Sequence, residues 1–583
     1  MRFLEIILDR RQLFVCFGLF WLGLGWLALI LSLLGIFYGA ILFVYALVTG
    51  AIFLRLLIFN RSQFRSDNYI LFVIVISLLA IFLFSYYTTP TIFSGRDQGS
   101  FSETAIRLAQ NHHFTFSSPA SVEFFKIYGP GKALNFPGFN YTKEGLLLTQ
   151  FPPGYASWLA IFYSFFGLNG LIIANGVAFF VFFLSFYALV RQFLNSRAAL
   201  ATFFMVLTAF VFLWFFKFTL SENLALMLVW FGIYAFVVFT ENKNRFYFIA
   251  SFLSFGLLLF SRIEALAFLV MITLVLLFKY RDWKYLVFAV LGKKALLVIL
   301  SVLTVYVFHA SINSQTYIAL IKNLFKPLAG LKQDILNTGG LTMFIYVLKV
   351  FTLYALLSFL FFAAAGIVYL LKKRKFEILL PFLIVSPAFF YLIQPSITPD
   401  HPWMLRRFLF TVIPVFIFYA AWFLDKLLKK RFLFYFSSCL LIVANLAVSV
   451  PYLSFSPNND LLPQIKELSE NFTASDLILV DQFATGDGWS MMTGPMNFLY
   501  GKQAIYFFNS NDLDKINKSK FSKIYFIIPD GNLEFYSKSG LLDRLSPQKE
   551  YIIKNNFMPA STSFQLPQPQ DILVRGKVYL LEN

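Results

Sequence analysis

Cysteine is almost missing from this chain. Cys16 and Cys439 are the two that occur in 583 residues, and both lie inside apolar runs, which excludes a disulfide framework and a thiolate metal site. Charge is scarce as well: 13% of residues are charged against 59% hydrophobic, and the mean hydropathy is +0.72, which excludes a soluble globular protein. Acidic residues are scarcer than basic ones, 29 against 48, giving a net charge of +19. The basic residues sit in short clusters between apolar runs, the pattern of cytoplasmic loops, so no nucleic-acid partner is expected. A phosphate-binding glycine fingerprint is also missing, because Thr485-Gly486-Asp487-Gly488 lacks the strand, spacing and helix that such a loop needs and reads as a turn. No internal repeat of the kind found in many transporters is present.

What the chain has in abundance is apolar runs. Spanning a bilayer takes about 20 apolar residues in a helix. By that measure thirteen spans are expected, near 13–33, 36–58, 69–89, 169–190, 199–216, 222–240, 246–261, 264–279, 295–311, 350–371, 377–394, 405–424 and 432–452. Arg2, Arg10 and Arg11 precede the first run as in a signal peptide, but no small-residue cleavage site follows and a second span comes at once, so a retained anchor is expected. The basic connections Arg55 to Arg65, Arg191 to Arg197, Glu241 to Arg245, Lys279 to Lys294, Lys372 to Lys375 and Lys426 to Arg431 fall where alternation requires cytoplasm. The N-terminus is then cytoplasmic and the C-terminus exoplasmic.

Two polar regions interrupt this pattern. The first, from Thr88 to about Leu168, is expected as a long external loop. In it Ser100 and Glu103 have capping-box spacing, and Phe101, Ala105, Ile106, Leu108 and Ala109 follow at helical intervals, predicting an interfacial amphipathic helix just after Asp97. Past His112 the pattern turns to short aromatic and β-branched pieces broken by Gly129-Pro130-Gly131, Phe136-Pro137-Gly138 and Phe151-Pro152-Pro153-Gly154, and Trp158 to Phe166 is too short to span. The second region begins at Ser454. There the β-type pieces Leu477 to Val480, Ala504 to Phe508, Lys523 to Ile528 and Val574 to Leu581 alternate with helix-compatible stretches such as Leu461 to Asn471, predicting a small exoplasmic α/β domain.

Sorting ionisable residues by side places Asp97, Lys217, Glu222, Arg262, Glu264, Lys349, His401, Arg406 and Arg407 on the exoplasmic face. A charge held at membrane depth costs roughly 3 kcal/mol on insertion scales, so such a set needs partners or a function. For Arg262 with Glu264 or Glu222 the plain alternative is a structural ion pair, and for Arg406 and Arg407 it is interfacial snorkelling. The chemistry the set suits is transfer of a phosphate-activated group: a carboxylate takes a proton from the incoming nucleophile while arginine and lysine stabilise the departing phosphate. At a membrane surface that phosphate belongs to a lipid. Asp97, Glu222 and His401 are oxygen or nitrogen donors on one side, which leaves a divalent metal ion open, although their spacing forms no ligand motif. Tyr128, Tyr141, Tyr155 and Trp403 are candidates for carbohydrate stacking.

Arg96-Asp97-Gln98-Gly99 after an early span, Phe151-Pro152-Pro153-Gly154-Tyr155 closing the first loop, Ser221-Glu222-Asn223, and Arg407-Phe408 followed by Pro414 come in an order that resembles the GT-C glycosyltransferases. Within them the chain resembles the bacterial branch related to protein O-mannosyltransferases and the lipid A aminoarabinose transferase, which implies a bacterial inner membrane. The likeness covers about residues 68–452, with 90–168 as the first exoplasmic loop, 1–67 as two extra N-terminal helices and a cytoplasmic loop, and 453–583 as the exoplasmic domain. It implies a polyprenyl-phosphate-linked sugar donor, transfer with inversion, and a protein, lipid or polysaccharide acceptor. It also implies Asp97 as base or acceptor-orienting acid, Glu222 or Glu264 as a second acid, and Arg407 at the donor phosphate, with Arg406, Lys349, Lys217, Arg262 and His401 as further candidates there. Two features depart from the family: Gln98 stands where many relatives have a second acid, and two spans precede the usual first one.

The competing reading is a transporter or lipid flippase, which expects polar residues near the bilayer midplane, broken helices and repeated halves. A non-catalytic envelope scaffold leaves the acids unexplained.

Overall fold

The structure is a computed structural model and describes residues 8–60, 69–282, 284–312, 318, 339–428 and 430–582. Arg2, and Arg61 and Arg65 of the first basic connection, lie outside the described residues.

Helix occupies all thirteen stretches expected to span. Among the described residues six helices are long and apolar enough to cross a membrane, up to nine if each of three bent pairs is one span, so length and composition give six to nine rather than thirteen. Ile70–Tyr86 and Arg245–Leu259, with 17 and 15 residues, fall short of the usual length. Burial sorts the helices into layers. Ser221–Asn242 is buried along its whole apolar length, whereas Gly39–Phe59 is almost bare and turns Val44, Leu47, Leu54 and Ile58 outward, the mark of a lipid-facing surface in this integral membrane protein.

The bent pairs are where the chain turns polar. Trp403–Leu409 meets Val412–Leu427 at 61°, and Ser196–Thr208 meets Phe210–Phe216 at 52°. Such breaks free backbone groups that hydrocarbon cannot satisfy, so they belong inside protein. Both lie against buried neighbours, and they carry Arg406, Arg407 and, just after the second, Lys217.

The first long loop is more ordered than its sequence predicted. It holds strand β1 (Ser94–Gly95), helix Asp97–Asn111, helix Pro119–Tyr128, a small antiparallel sheet of β2 (Gly131–Lys132), β3 (Phe139–Tyr141) and β4 (Leu147–Thr149), and helix Pro153–Phe166. The expected capping box at Ser100 is not formed. Asp97 begins the helix three residues earlier, and Glu103 is buried and accepts a hydrogen bond from Ser94 Oγ at 2.6 Å. Nor is this helix a half-immersed amphipath, since Gln98 through Ile106 are all buried by protein. Helix Pro119–Tyr128 was unforeseen, although Ser118 caps Ser121 and Pro119 fills the first turn, both sequence-level start signals.

The C-terminal region is a mixed sheet of β5 (Leu477–Val480), β7 (Gln503–Tyr506), β8 (Ile524–Pro529), β9 (Leu545–Phe557) and β10 (Gln570–Leu581), in the order β7-β5-β8-β10-β9. β5 runs parallel to β7 and β8, and β10 runs antiparallel to β8 and β9. The unforeseen strand β9 is an edge strand whose polar outer positions hide the alternation of buried Tyr551, Ile553 and Asn555. Two features tie the first loop to this region. β1 pairs with the short strand β6 (Ser490–Met491), and Phe93 is buried in the same apolar cluster as Ile478, Val480 and Ile527.

Candidate active site

Asp97 sits where three backbone constraints meet. Gly95 has φ +117°, and a Cβ there would lie 2.9 Å from the Trp489 carbonyl oxygen, so β1 closes on β6 only with glycine at this position. A Cβ on Gly99 would lie 1.8 Å from the Phe93 carbonyl oxygen, so the first turn of the helix also needs glycine to approach the strand. Between them Arg96 is extended and Asp97 is the first helical residue, a position where the helix dipole favours a carboxylate.

Around Asp97 the structure gathers a network of arginines and acids from four separate segments. Arg406 Nη2 lies 2.7 Å from Asp97 Oδ2, and its Nε lies 3.8 Å from Glu222 Oε1. Arg262 bridges the two glutamates: its Nη1 is 2.8 Å from Glu222 Oε1, and its Nη2 and Nε donate to Glu264 at 2.5 and 3.2 Å. Arg262 also donates to Ser221 Oγ at 3.2 Å, and Tyr391 donates to Glu264 at 2.7 Å. Arg407 is held loosely, with Glu264 at 4.0 Å and the Ser396 carbonyl at 3.4 Å. Arg96 faces Asp400 at 3.5 Å.

Exposure divides these groups by role. The side chains of Glu222, Glu264, Arg262 and Arg406 are between 2% and 9% exposed, whereas Asp97 is 35% and Arg407 20% exposed. One acid and one loosely held cation are thus open to a ligand, above buried pairs that fix them. Burial works against ionisation of Asp97, but the Arg406 guanidinium outweighs it and holds the carboxyl below the usual range, so it stays ionised at neutral pH. The Nε atoms of Arg406 and Arg407 are buried without a hydrogen-bond acceptor, spare donor capacity beside the exposed acid.

Three sequence candidates lie outside this network. Lys217 donates from Nζ to the carbonyls of Tyr452, Leu453 and Phe455, capping the end of the last apolar helix rather than facing a phosphate. His401 has both ring nitrogens engaged, Nδ1 with the Tyr354 hydroxyl at 3.0 Å and Nε2 with the Ser563 carbonyl at 2.7 Å. Lys349 is exposed on helix Gly339–Leu353, without a charged partner among the described residues. With His401 engaged elsewhere and a guanidinium between Asp97 and Glu222, the three donors considered for a metal do not converge, and no group of three His, Cys, Asp or Glu suited to an ion occurs among the described residues.

Sequence reasoning missed Tyr391, Asp400 and the role of Arg96. Arg96 lies between two indoles, with Cζ 4.5 Å from the ring centre of Trp403 and 4.6 Å from that of Trp489. Three aromatic candidates for sugar stacking are buried: Trp403 lies against Arg96 and Arg406, Tyr155 donates to Asn175, and Tyr141 is enclosed, while Tyr128 is half-buried and donates to Asp512.

No protein-family model and no curated protein matches the sequence significantly. Solved structures do. ArnT from Cupriavidus metallidurans bound to undecaprenyl phosphate superposes over 88% of this chain and 98% of its own, with a TM-score of 0.53 at 11% identity. The apo form of ArnT gives 0.52 at 10% identity, covering 87% and 97%. An Archaeoglobus fulgidus oligosaccharyltransferase in complex with zinc and sulfate is more distant, at 0.49 and 14% identity over 86% of this chain and 75% of its own. ArnT is covered almost from end to end, so this chain shares the fold of that structure.

Proposed function

We propose that this chain is a membrane glycosyltransferase that moves a sugar from a polyprenyl-phosphate donor to an acceptor on the exoplasmic face. It would sit in a bacterial inner membrane with its N-terminus cytoplasmic and its C-terminal region exoplasmic. The observation that carries the reading is a part-exposed, ionised Asp97, paired with buried Arg406, that shares one ionic network with the loosely held Arg407. The ArnT fold neighbour bound to undecaprenyl phosphate supports a lipid phosphate as the donor's carrier.

In this mechanism the acceptor hydroxyl attacks the anomeric carbon from the side opposite the phosphate. The bond from that carbon to the phosphate oxygen breaks, and its electron pair leaves with the polyprenyl phosphate. Asp97 orients the hydroxyl and takes its proton as the new bond makes it acidic, while Arg407 meets the charge gathering on the departing phosphate. Arg406 keeps Asp97 ionised, and Arg262 with Glu222 and Glu264 fixes the arginines. The sugar transferred, hexose or pentose, is set by contacts beyond these groups.

The test uses reconstituted full-length protein, undecaprenyl phosphate and a labelled polyprenyl-phosphate sugar. Asp97→Asn retains undecaprenyl phosphate binding and loses transfer to envelope material by about 10²–10⁴-fold. Arg407→Ala weakens undecaprenyl phosphate binding by about 10- to 100-fold, the worth of a hydrogen bond to a charged group. Unchanged donor binding in Arg407→Ala rejects its phosphate role. Label crossing vesicles with no new glycosidic product makes the protein a transporter.

A further inference from the structure

The indole of Trp489 has one face on Arg96 and is 47% exposed, which leaves its other side open. We infer that Trp489 is the floor of an acceptor site and that the acceptor presented there is an oligosaccharide, one of its sugar rings stacked on the indole. The inference rests on the glycosyltransferase reading and names the class of its second substrate.

Three observations carry it. The first is rigidity. Asp487 Oδ1 accepts hydrogen bonds from the backbone N–H groups of Trp489 at 2.8 Å and Ser490 at 2.7 Å, and its Oδ2 accepts from Ser490 Oγ. Gln482 binds the Gly488 carbonyl, and Ser490 is paired with Gly95. The backbone that carries the ring is therefore fixed, and Arg96 backs the indole, before any ligand arrives, which lowers the ordering cost of binding.

The second is continuity with the exposed acid. Trp489, Arg96, Trp403 and Arg406 stack in sequence, with cation-to-ring distances of 4.6, 4.5 and 4.3 Å, and Arg406 ends on Asp97. Trp489 is thus joined to the acid through this stack, with its open side turned away from Arg96.

The third is chemistry. An apolar ring face carried on the same loop as Asp487 and Gln482 suits a molecule with an apolar flat side and a hydroxylated rim, which a pyranose has and an acyl chain lacks. The same loop turns Phe483, 48% exposed, into a cavity of about 600 Å³ that also takes in Asp530, Asn532 and Arg575. Phe483 and Trp489 are six positions apart, so their Cα atoms are roughly 20 Å apart at most. A second aromatic face beside a carboxylate, an amide and a guanidinium repeats the pattern, and this is why the occupant has more than one sugar ring.

Full-length protein in nanodiscs is titrated with maltohexaose, mannohexaose, a β-1,4-linked N-acetylglucosamine hexamer and a neutral hexapeptide, and binding is followed by saturation-transfer NMR. At least one hexasaccharide binds at millimolar concentration or below, and the hexapeptide does not. Trp489→Leu, which keeps apolar bulk on Arg96 but has no ring, weakens that binding about tenfold, as loss of an aromatic contact predicts. Trp489→Phe stays within about threefold of wild type because a ring face remains. Phe483→Leu weakens the hexasaccharide more than the matching disaccharide. Undecaprenyl phosphate binding, unchanged in each variant, shows that the fold is intact. The inference is overturned if no hexasaccharide binds, if Trp489→Leu binds as tightly as wild type, or if the hexapeptide binds and loses affinity in Trp489→Leu. If wild-type protein fails to bind undecaprenyl phosphate, the glycosyltransferase reading itself falls, whatever the sugars do.

Discussion

Arg262 is the residue on which the buried half of the ionic network depends, so replacing it with methionine is the sharpest test of how that network is held. The substitution keeps the apolar stem and removes a cation that serves two carboxylates, leaving Glu222 and Glu264 with their next cations at 3.8 and 4.0 Å. Breaking a buried pair by removing one partner costs about 3–5 kcal/mol, because the charge left behind is uncompensated. If that cost falls on the unfolding barrier, thermal inactivation accelerates by roughly two to three orders of magnitude. Adding Glu264→Gln to Arg262→Met removes one orphaned charge while the amide still accepts from Tyr391. The double variant should therefore be the more stable by about 1–2 kcal/mol, a coupling in the range expected of residues in contact. The assay is the half-life of undecaprenyl phosphate binding capacity in one detergent at fixed temperature. Inactivation of Arg262→Met within about threefold of wild type, or a double variant no better than the single, would show that the glutamates do not rely on Arg262.

Glu103 and Lys217 give two further tests. Burial pushes the Glu103 carboxyl up to about 8, with Ser94 pulling partly the other way, so the folded protein keeps a proton that the unfolded chain gives up above about 4.5. Its contribution is complete at low pH and is lost as pH rises through about 8, by up to about 4–5 kcal/mol. Hydrogen exchange at Gly95 and Ser490, corrected for intrinsic rates, should accelerate as pH rises from about 5 to about 8 and level off above it, and Glu103→Gln should remove that dependence. Lys217→Met strips the cap from three carbonyls, costs about 1–3 kcal/mol, and should open the 453–460 segment to proteolysis while leaving undecaprenyl phosphate binding unchanged; a loss of that binding would instead make Lys217 a phosphate ligand.

The apolar framework was legible because its signal is local. A run of apolar residues forms a helix in lipid whatever surrounds it, and helices stand on all thirteen stretches expected from such runs. Strands β5, β7, β8 and β10 were legible for the same reason, while β9 carries Lys and Glu outward and was passed over. Sorting charges by side grouped Asp97, Glu222, Arg262, Glu264, Arg406 and Arg407, which the fold brings together. The same sorting had no means of separating Lys217 and His401, because what removes them is contact with partners distant in sequence, such as Ser563 and the carbonyls after Ser449. The capping-box reading of Ser100 and Glu103 failed in a similar way: the spacing was right, but Ser94 on a paired strand offered the carboxyl a closer donor. Trp489 gave no local sign of its place, since its stack is completed by residues from two other segments.

The pairing of β1 with β6 has a meaning in time as well as in space. Ser94 and Gly95 are made early and Ser490 and Met491 late, so the strand that holds Asp97 stays unpaired until most of the chain has been inserted and its last region folded. Contacts so distant in sequence form late in folding. A protein arrested or cut before β6 would carry every residue of the ionic network and still lack the clasp that sets the acid in place. Assembly of the site thus doubles as a completeness check, and the chain gains its reactive geometry only once its final fifth has arrived.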